Sequence, residues 1–154
     1  MDAPHGDYLI SDDPARLDLK AIHAHLGQEY WSKNIPYEVM QRAVAGSLCL
    51  GAYDAHGNQV GLARFISDFA TFCYVCDVYV LPPHRGHGLA KALMQLADRH
   101  PKLQGLRRWN LVTRDAHGLY AQHGFRAIAH PERYMERLDP DVYQRTAHRA
   151  DPSS

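Results

Sequence analysis

Apolar positions along the chain follow two kinds of spacing. In one stripe from Leu17 to Leu26 and another from Leu89 to Ala97 they recur every three or four residues, which is typical of amphipathic helices. Elsewhere they form short runs bounded by Gly, Pro, Asn and Asp, which predict strands. Helices are predicted over residues 14–26, 37–45, 88–99 and 117–123, and strands over residues 6–11, 48–53, 59–66, 71–81, 108–113, 125–128 and 133–138.

The order of these elements predicts a single α/β domain. Strands grouped in hairpins and then alternating with helices favour a central mixed, mostly antiparallel sheet with helices on both faces. A chain of 154 residues is long enough to bury a core of this kind without disulfides. We assign residues 1–143 to the domain. Residues 144–154 have little to bury and are predicted to be a mobile tail.

Charge and hydropathy exclude several classes of protein. Seventeen Lys and Arg balance seventeen Asp and Glu, so the overall charge gives no reason to expect a nucleic-acid or membrane partner. No apolar run approaches the roughly 20 residues of a membrane span, and the N-terminus lacks a basic region followed by an apolar one. A cytoplasmic location is expected. Eleven histidines are unusual, but they indicate no particular function.

The three cysteines lie in apolar segments, as is typical of reduced core thiols. Cys73 and Cys76 have a spacing that can mark zinc or redox chemistry. Residues three apart in an extended strand point to opposite faces, so this pair could bind one ion only if the strand broke between them. No metal site is expected.

The turn Arg85-Gly86-His87-Gly88 joins the longest predicted strand to a predicted helix. Each glycine inside a helix costs about 1 kcal/mol relative to alanine. The first amides of a helix have no intrahelical partner and, with the helix dipole, bind anions. A pyrophosphate would fit this turn, and Arg85 would add charge. The alternative, that the glycines serve only the geometry of the turn, remains open at this point.

Two motifs resemble those of the GNAT-type N-acetyltransferases. Arg85-Gly86-His87-Gly88-Leu89-Ala90 is similar to the acetyl-CoA-binding signature Arg/Gln-x-x-Gly-x-Gly/Ala, and Leu119-Tyr120 with Gly124-Phe125 is similar to the family's LY…GF. The resemblance runs from the first strand through Leu138. It implies a V-shaped split between the predicted strands 71–81 and 108–113, into which the pantetheine arm of acetyl-CoA inserts. The implied cofactor-binding residues are Val78, Tyr79, Val80, Arg85, Gly86, His87, Gly88, Leu89 and Ala90.

The resemblance also implies a reaction, namely direct transfer of an acetyl group to an amine in a ternary complex, with Tyr120 as general acid. Without the motif, an aromatic residue packed on the sheet would be the simpler interpretation of Tyr120. Asp77 interrupts an apolar run, and a carboxylate there is costly unless it is paired. It is either a base, acting through water, or a structural partner of an arginine or histidine. Many family members have an asparagine where this chain has Thr113, so no role is taken over for that position.

The acceptor is not identified by the sequence. The predicted loop 27–36 contains Tyr30 and Trp31, which are suited to cover a small-molecule or peptide amine. Packing of Trp31 onto the core is the alternative. A non-catalytic module that binds acyl-CoA is the second function the motifs allow, and the sequence leaves dimerisation open.

Overall fold

The computed structural model describes residues 1–149, with side chains to residue 145. It contains one six-stranded sheet and five α-helices. The strands are β1 (Asp2–His5), β2 (Tyr8–Ser11), β3 (Leu48–Tyr53), β4 (Gln59–Ser67), β5 (Phe72–Val80) and β6 (Arg108–Leu111). The helices are α1 (Leu19–Leu26), α2 (Tyr37–Ala45), α3 (Leu89–Arg99), α4 (His117–Ala121) and α5 (Val142–Arg149).

The strands lie in the sheet in the order in which they occur in the chain. Neighbouring strands are antiparallel from β1 to β5, and β6 alone is parallel to its neighbour, β5. Short turns join β1 to β2, β3 to β4 and β4 to β5, whereas α1 and α2 lie between β2 and β3. At the β4–β5 turn, for example, the Asp68 carboxylate accepts backbone N–H groups from Ala70 and Thr71. The parallel pair needs a longer crossover, which α3 provides.

Two apolar clusters cover the two faces of the sheet. The α3-side cluster contains Leu93, Met94 and Leu96 of α3 with Phe65 and Val75 of the sheet. The α1/α2-side cluster lies on the other face and contains buried residues of both helices, packed against the sheet; its members are Ile22, Leu26, Ile35, Met40, Val44, Cys49 and Leu62. The predicted α/β class, with a mixed sheet between helices, is confirmed.

The first predicted strand contains the turn and the second strand of a hairpin, β1–β2. Residues 6–11 were predicted as one strand, but Gly6 adopts a positive φ of 57° and turns the chain between β1 and β2. β1 has the sequence DAPH, which lacks apolar alternation, so the hydrophobic pattern does not predict this strand.

The predicted strands 125–128 and 133–138 are wrong for this chain on its own. Residues 125–130 are irregular, Pro131–Arg133 form a 3-10 turn, and residues 134–138 pair with no strand of the described chain. A strand needs a neighbour for its backbone groups, and these segments pair with no strand within residues 1–149. Residues 126–142 are all exposed.

The C-terminal region differs from the predicted tail in one respect. Residues 142–149 form α5, and Tyr143 packs against the α1/α2-side cluster. Residues 150–154 of the predicted tail lie outside the described residues. No helix within residues 1–149 has both the length and the apolar character needed to cross a membrane.

Candidate functional site

β5 and β6 separate halfway along β5. The two strands pair only from Phe72 opposite Arg108 to Val75 opposite Leu111. Just beyond, the register between β4 and β5 shifts by one residue. Leu62 pairs with Tyr79, whereas Arg64 pairs with Cys76. β5 thus has one extra residue, a β-bulge, which bends a strand. Beyond Val75 and Leu111, a gap opens between residues 76–80 and the segment that follows β6.

Asp77 lies in this bulge with a positive φ of 51°, which is uncommon for a residue other than glycine. Its carboxylate Oδ2 accepts a hydrogen bond of 2.7 Å from Arg64 Nε. Arg64 also donates to the Ser47 hydroxyl at 3.0 Å, and the Asp77 side chain is only 7% exposed. Burial disfavours the charged form of Arg64, but the negative charge of Asp77 raises the pKa of Arg64 above its ordinary value. Asp77 is thus in an ion pair, and its second oxygen, Oδ1, has no hydrogen-bond partner among residues 1–149.

The backbone of Val80 is directed into the gap. Leu81 N–H donates to Val60 of the opposite neighbour, and neighbouring residues of a strand direct their backbone groups to opposite edges. Val78 and Val80 therefore present their N–H and C=O groups to the gap. The Val80 carbonyl accepts a 3.1 Å hydrogen bond from Arg85 Nε, so Arg85 is fixed across the end of the strand.

The glycine turn lies at the end of the gap. Gly86 and Gly88 have φ values of 84° and 72°, and Gly88 is the N-cap of α3 with no side chain capping the helix. Nothing lies within 4 Å of where a Cβ of Gly86 would be. His5 Nε2 lies 2.6 Å from the His87 carbonyl and ties the β1–β2 hairpin to the turn. The open amides of an eleven-residue helix thus face free space beside an exposed arginine.

The remaining residues of the turn divide between surface and core. His87 is exposed, Leu89 is buried in the α3-side cluster, and Ala90 is half-buried. The side chain of Tyr79 points to the opposite face of the sheet, against the α1/α2-side cluster.

His25 is a residue of the site that the sequence analysis missed. Its ring stacks on Tyr79 with centroids 3.6 Å apart, and its Nε2 lies 2.9 Å from the Glu29 carboxylate without the alignment of a hydrogen bond. Burial lowers the pKa of His25. The carboxylates of Glu29 and Asp77 act to raise this pKa, and Arg85 acts to lower it further. The lowered pKa favours the neutral imidazole, which stacks on a residue of the second half of β5. The only signal in the sequence is the spacing of four residues between His25 and Glu29 at the end of a helix.

Tyr120 is nearly buried in the α3-side cluster, at 8% exposure. Its ring meets that of Phe125 edge to face at 5.9 Å, and its carbonyl accepts the Phe125 N–H. Burial raises the pKa of the phenol, so it keeps its proton at neutral pH. The hydroxyl has no hydrogen-bond partner in the described chain. At the start of α4, Thr113 Oγ1 accepts the Ala116 N–H.

Tyr30 and Trp31 project outward, at 63% and 52% exposure. The Ser32 hydroxyl donates to the Leu26 carbonyl at 2.6 Å and holds the loop in place below them. Packing of Trp31 onto the core does not occur. The guanidinium of Arg114, which follows β6, lies 4.3 Å from the centre of the Tyr30 ring. The aromatic loop thus contacts the segment that follows β6.

The cysteines are free thiols distributed over both faces of the sheet. Cys73 packs in the α3-side cluster, whereas the Cys76 thiol donates to the Arg64 carbonyl, as expected for residues on opposite faces. Burial raises the pKa of Cys49 and Cys76 to about 12 and that of Cys73 to about 11. Among residues 1–149, no group of three or more His, Cys, Asp or Glu could hold a metal ion.

Comparison with known proteins decides the family. A model described as an acetyltransferase (GNAT) domain matches residues 45–127, which include β3 to β6, the glycine turn and α4. The chain belongs to the GNAT acetyltransferase family. A curated relative, "Putative acetyltransferase FG08082" from Gibberella zeae, is 35% identical and is aligned over 76% of this chain and 77% of its own.

Solved structures agree with the family assignment. A crystal structure of a "putative acetyltransferase belonging to the gnat family" from Xanthomonas campestris is 50% identical, with a TM-score of 0.85, covering 91% of this chain and 97% of that one. A structure of a "predicted acetyltransferase with acetyl-CoA" from Clostridium acetobutylicum has a TM-score of 0.60 at 16% identity, covers 85% of this chain and 94% of that one, and shows the shared fold. The V-shaped split expected from the GNAT resemblance corresponds to the gap between β5 and β6.

Proposed function

We propose that the protein transfers an acetyl group from acetyl-CoA to an amine in a ternary complex. The observation that carries the proposal is the gap that opens at the Asp77 bulge and ends at the N-terminus of α3. An extended chain with an acidic end group matches this shape, because strand edges bind extended chains and helix N-termini bind phosphates. The structure of the Clostridium acetobutylicum "predicted acetyltransferase with acetyl-CoA", which shares the fold, also supports this donor.

The gap and the glycine turn would hold two parts of the donor, the pantetheine arm and the pyrophosphate. Backbone groups of Val78 and Val80, on either side of Tyr79, would hold the pantetheine arm, and the turn from Arg85 to Ala90 would hold the pyrophosphate. Free space above Gly86 lets a phosphate approach the backbone closely. Once bound, the thioester supplies an activated acetyl group.

Tyr120 and Asp77 would supply the acid and the base. The nitrogen of the acceptor forms a bond to the carbonyl carbon while the bond from that carbon to sulfur breaks. The proton that the nitrogen loses would pass to Asp77 Oδ1, directly or through water, and the departing sulfur would receive a proton from the Tyr120 hydroxyl. Both oxygens lack a partner in the described chain, as this role requires. No cysteine takes part, since burial keeps the three thiols protonated.

Tyr30 and Trp31 would bind the acceptor, a small-molecule or peptide amine. They are exposed aromatic rings on the loop between α1 and α2, and Tyr30 contacts Arg114 in the segment that follows β6. Ala at either position should raise KM for the acceptor and leave the affinity for acetyl-CoA nearly unchanged, because uniform binding interactions act on KM.

The test is thiol release from acetyl-CoA across a panel of amines, together with the melting temperature in the presence of acetyl-CoA. Release with at least one amine, and a rise in melting temperature, support the proposal. A rise without release for any amine would favour a non-catalytic module that binds acyl-CoA. If saturating acetyl-CoA does not raise the melting temperature, the gap is not a binding site for acetyl-CoA.

A further inference from the structure

The chain crosses the gap where α1 ends and the α1–α2 loop begins. In the last turn of α1, the His25 ring stacks on Tyr79, in the second half of β5, with centroids 3.6 Å apart. Further along the loop, the Tyr30 ring meets Arg114, in the segment that follows β6. Since the gap separates these two parts of the sheet, residues 25–30 pass over it. An acceptor that approaches the gap from this face would contact the side chains of this crossing.

Arg114 is held at the crossing by an aromatic ring and by no carboxylate. Its guanidinium carbon lies over the Tyr30 ring, 4.3 Å from the centre, and the Trp31 ring meets that of Tyr30 edge to face at 5.0 Å. Among residues 1–145, Arg114 has no ion pair and no hydrogen bond. A guanidinium stacked on a ring keeps the N–H groups of its edge free to bind a planar anion with two hydrogen bonds.

Two carboxylates near the crossing already have partners within the chain. The Glu29 carboxylate lies 2.9 Å from His25 Nε2, and the buried Asp77 carboxylate accepts a hydrogen bond from Arg64. The positive charge of Arg114 has no such partner among the described side chains. A single guanidinium balances one carboxylate, whereas a phosphate group carries close to two negative charges. The crossing therefore suits an acceptor that has a carboxylate in addition to the amine that reacts.

We propose that Arg114 binds a carboxylate of the acceptor, and that the acceptor is a small molecule of the amino-acid class, with both an amine and a carboxylate. The carboxylate accepts two hydrogen bonds from the guanidinium, and Trp31 covers the carbon chain between the two groups. Tyr30 is a positioning residue that holds the plane of the guanidinium. This inference rests on the proposed acetyl transfer and names the class of acceptor for that reaction.

Matched pairs of amines test the class of acceptor. Thiol release from acetyl-CoA is followed with amino acids of increasing length, from glycine to ω-aminohexanoate, each paired with the alkylamine that lacks the carboxylate. At least one amino acid should exceed its paired amine about 10- to 100-fold in kcat/KM, the range expected for hydrogen bonds to a charged group. The difference should lie mainly in KM, because the carboxylate takes no part in the reaction. Equal kcat/KM within every pair, or a preference for the alkylamines, would overturn the inference.

Substitution of Arg114 shows whether this residue causes the preference. Arg114→Gln should reduce the ratio of kcat/KM within the preferred pair about tenfold or more, and Arg114→Glu should favour a diamine of the same length over the amino acid. Arg114→Lys should keep part of the ratio, because the charge remains and the planar group is lost. Arg99→Gln, at an exposed arginine at the end of α3, is the matched control and should leave the ratio unchanged. An equal loss for both members of the pair would mean that Arg114 only holds the loop, which would overturn the inference.

The role of Tyr30 is tested by removing its hydroxyl and its ring in turn. Tyr30→Phe keeps the ring under the guanidinium and should retain the ratio within the preferred pair. Tyr30→Ala should reduce this ratio, mainly through KM for the amino acid. If Tyr30→Ala raises KM equally for the amino acid and the alkylamine, Tyr30 does not position Arg114, and that part of the inference is wrong.

A binding measurement that needs no acetyl transfer separates this inference from the proposed function. In a Trp109→Phe background, Trp31 is the only tryptophan, and its fluorescence is followed during titration with pentanoate or with pentylamine, with and without CoA. Pentanoate should change the fluorescence at lower concentration than pentylamine, and Arg114→Gln should remove this difference. If no amine releases thiol and the response to pentanoate is still seen, the proposed reaction is wrong and the carboxylate site is supported. If the response is absent or does not depend on Arg114, the inference is wrong even when acetyl transfer occurs.

Discussion

The two halves of β5 belong to one strand but have different surroundings. Residues 72–75 lie between β4 and β6, and Cys73 and Val75 there are 0% and 3% exposed. Residues 76–80 pair with β4 alone, and all of them are half-buried. The first half is paired on both sides, as a central strand is, and its buried side chains stabilise the fold. The second half leaves backbone groups unused, and those groups are the ones the proposed donor needs.

The bulge at Asp77 separates these halves, and it is costly. A residue other than glycine at positive φ costs about 1–3 kcal/mol, and such strain persists only where the surroundings impose it. The ion pair with Arg64 is the interaction that holds Asp77 in place. The comparison therefore predicts that changes near the bulge affect both stability and chemistry, whereas changes on the open side affect chemistry alone.

The largest effect is expected at the ion pair. Asp77→Asn leaves Arg64 without its charged partner, and removing one member of a buried pair typically costs about 3 kcal/mol or more of the free energy of unfolding. Arg64→Gln should cost a similar amount. In the double variant Asp77→Asn with Arg64→Gln, most of the stability should return, as measured by denaturant unfolding.

Turnover in the same three variants separates the two roles of Asp77. If Asp77 is the base, the double variant regains stability but stays slow. A stable double variant with full turnover and an unchanged pH profile would leave Asp77 with a structural role only.

Tyr120→Phe comes next. It removes one hydroxyl with no partner in the described chain, so fold and acetyl-CoA affinity should survive. General acid catalysis is worth about 10² to 10⁴ in rate, and we expect the lower end, about 100-fold in kcat, because a thiolate leaves fairly well unaided. The loss should shrink with a donor whose thiol is more acidic. Equal losses with both donors would mean that Tyr120 positions acetyl-CoA and does not protonate the sulfur. No loss with either donor would mean that Tyr120 only packs in the core.

A smaller effect is expected at Gly86, for which the chain offers a matched control. Gly86 and Gly57 have φ values of 84° and 82°, and neither has an atom within 4 Å of an added Cβ. Alanine at either should cost a similar 1–2 kcal/mol or so in stability, because the left-handed conformation is strained for L-residues. Gly86→Ala alone should weaken the rise in melting temperature with acetyl-CoA. An equal rise in both variants would show that the phosphates bind elsewhere.

The smallest effect concerns His25 and pH. Burial lowers its pKa in the folded protein from 6.5, so the unfolded chain binds the proton more readily. The stability contribution of the neutral ring is present above pH 6.5 and is lost as the pH falls through the lower folded pKa. His25→Gln should flatten the decline of stability below pH 6.5, measured by unfolding at several pH values. His56→Gln, at an exposed histidine of the β3–β4 turn, is the control and should leave the decline as in the unsubstituted protein.

The sequence predicted the elements whose pattern is local. The stripe over α3 and the runs over β3, β4 and β5 fall where periodicity places them, and the glycine turn was recognised because its motif is contiguous. β1 was missed because its four residues lack apolar alternation. The strands predicted over 125–128 and 133–138 have the right composition, but a strand also needs an edge to pair with, which composition does not reveal.

The candidate site was predicted less completely because its contacts are not local. The sequence indicated that Asp77 needs a partner, but choosing Arg64 requires the register of two strands and a bulge between them. His25 was missed because the spacing along α1 does not reveal that Tyr79 lies beneath its ring. The roles of Tyr120 and Asp77 remain predictions.

The strand order of the sheet has a consequence for how the chain folds. β3 pairs with β4, and β4 with β5, each across a short turn, so these contacts close short loops. The β5–β6 pair must instead wait for residues 81–107 to complete a crossover, and loop closure has to precede its four pairings. The meander of β3, β4 and β5 should therefore assemble first and β6 should dock late. In native-state hydrogen exchange the amides of β6 should open at lower free energy than those of β3 and β4, which makes one wall of the gap the part of the sheet that most readily detaches.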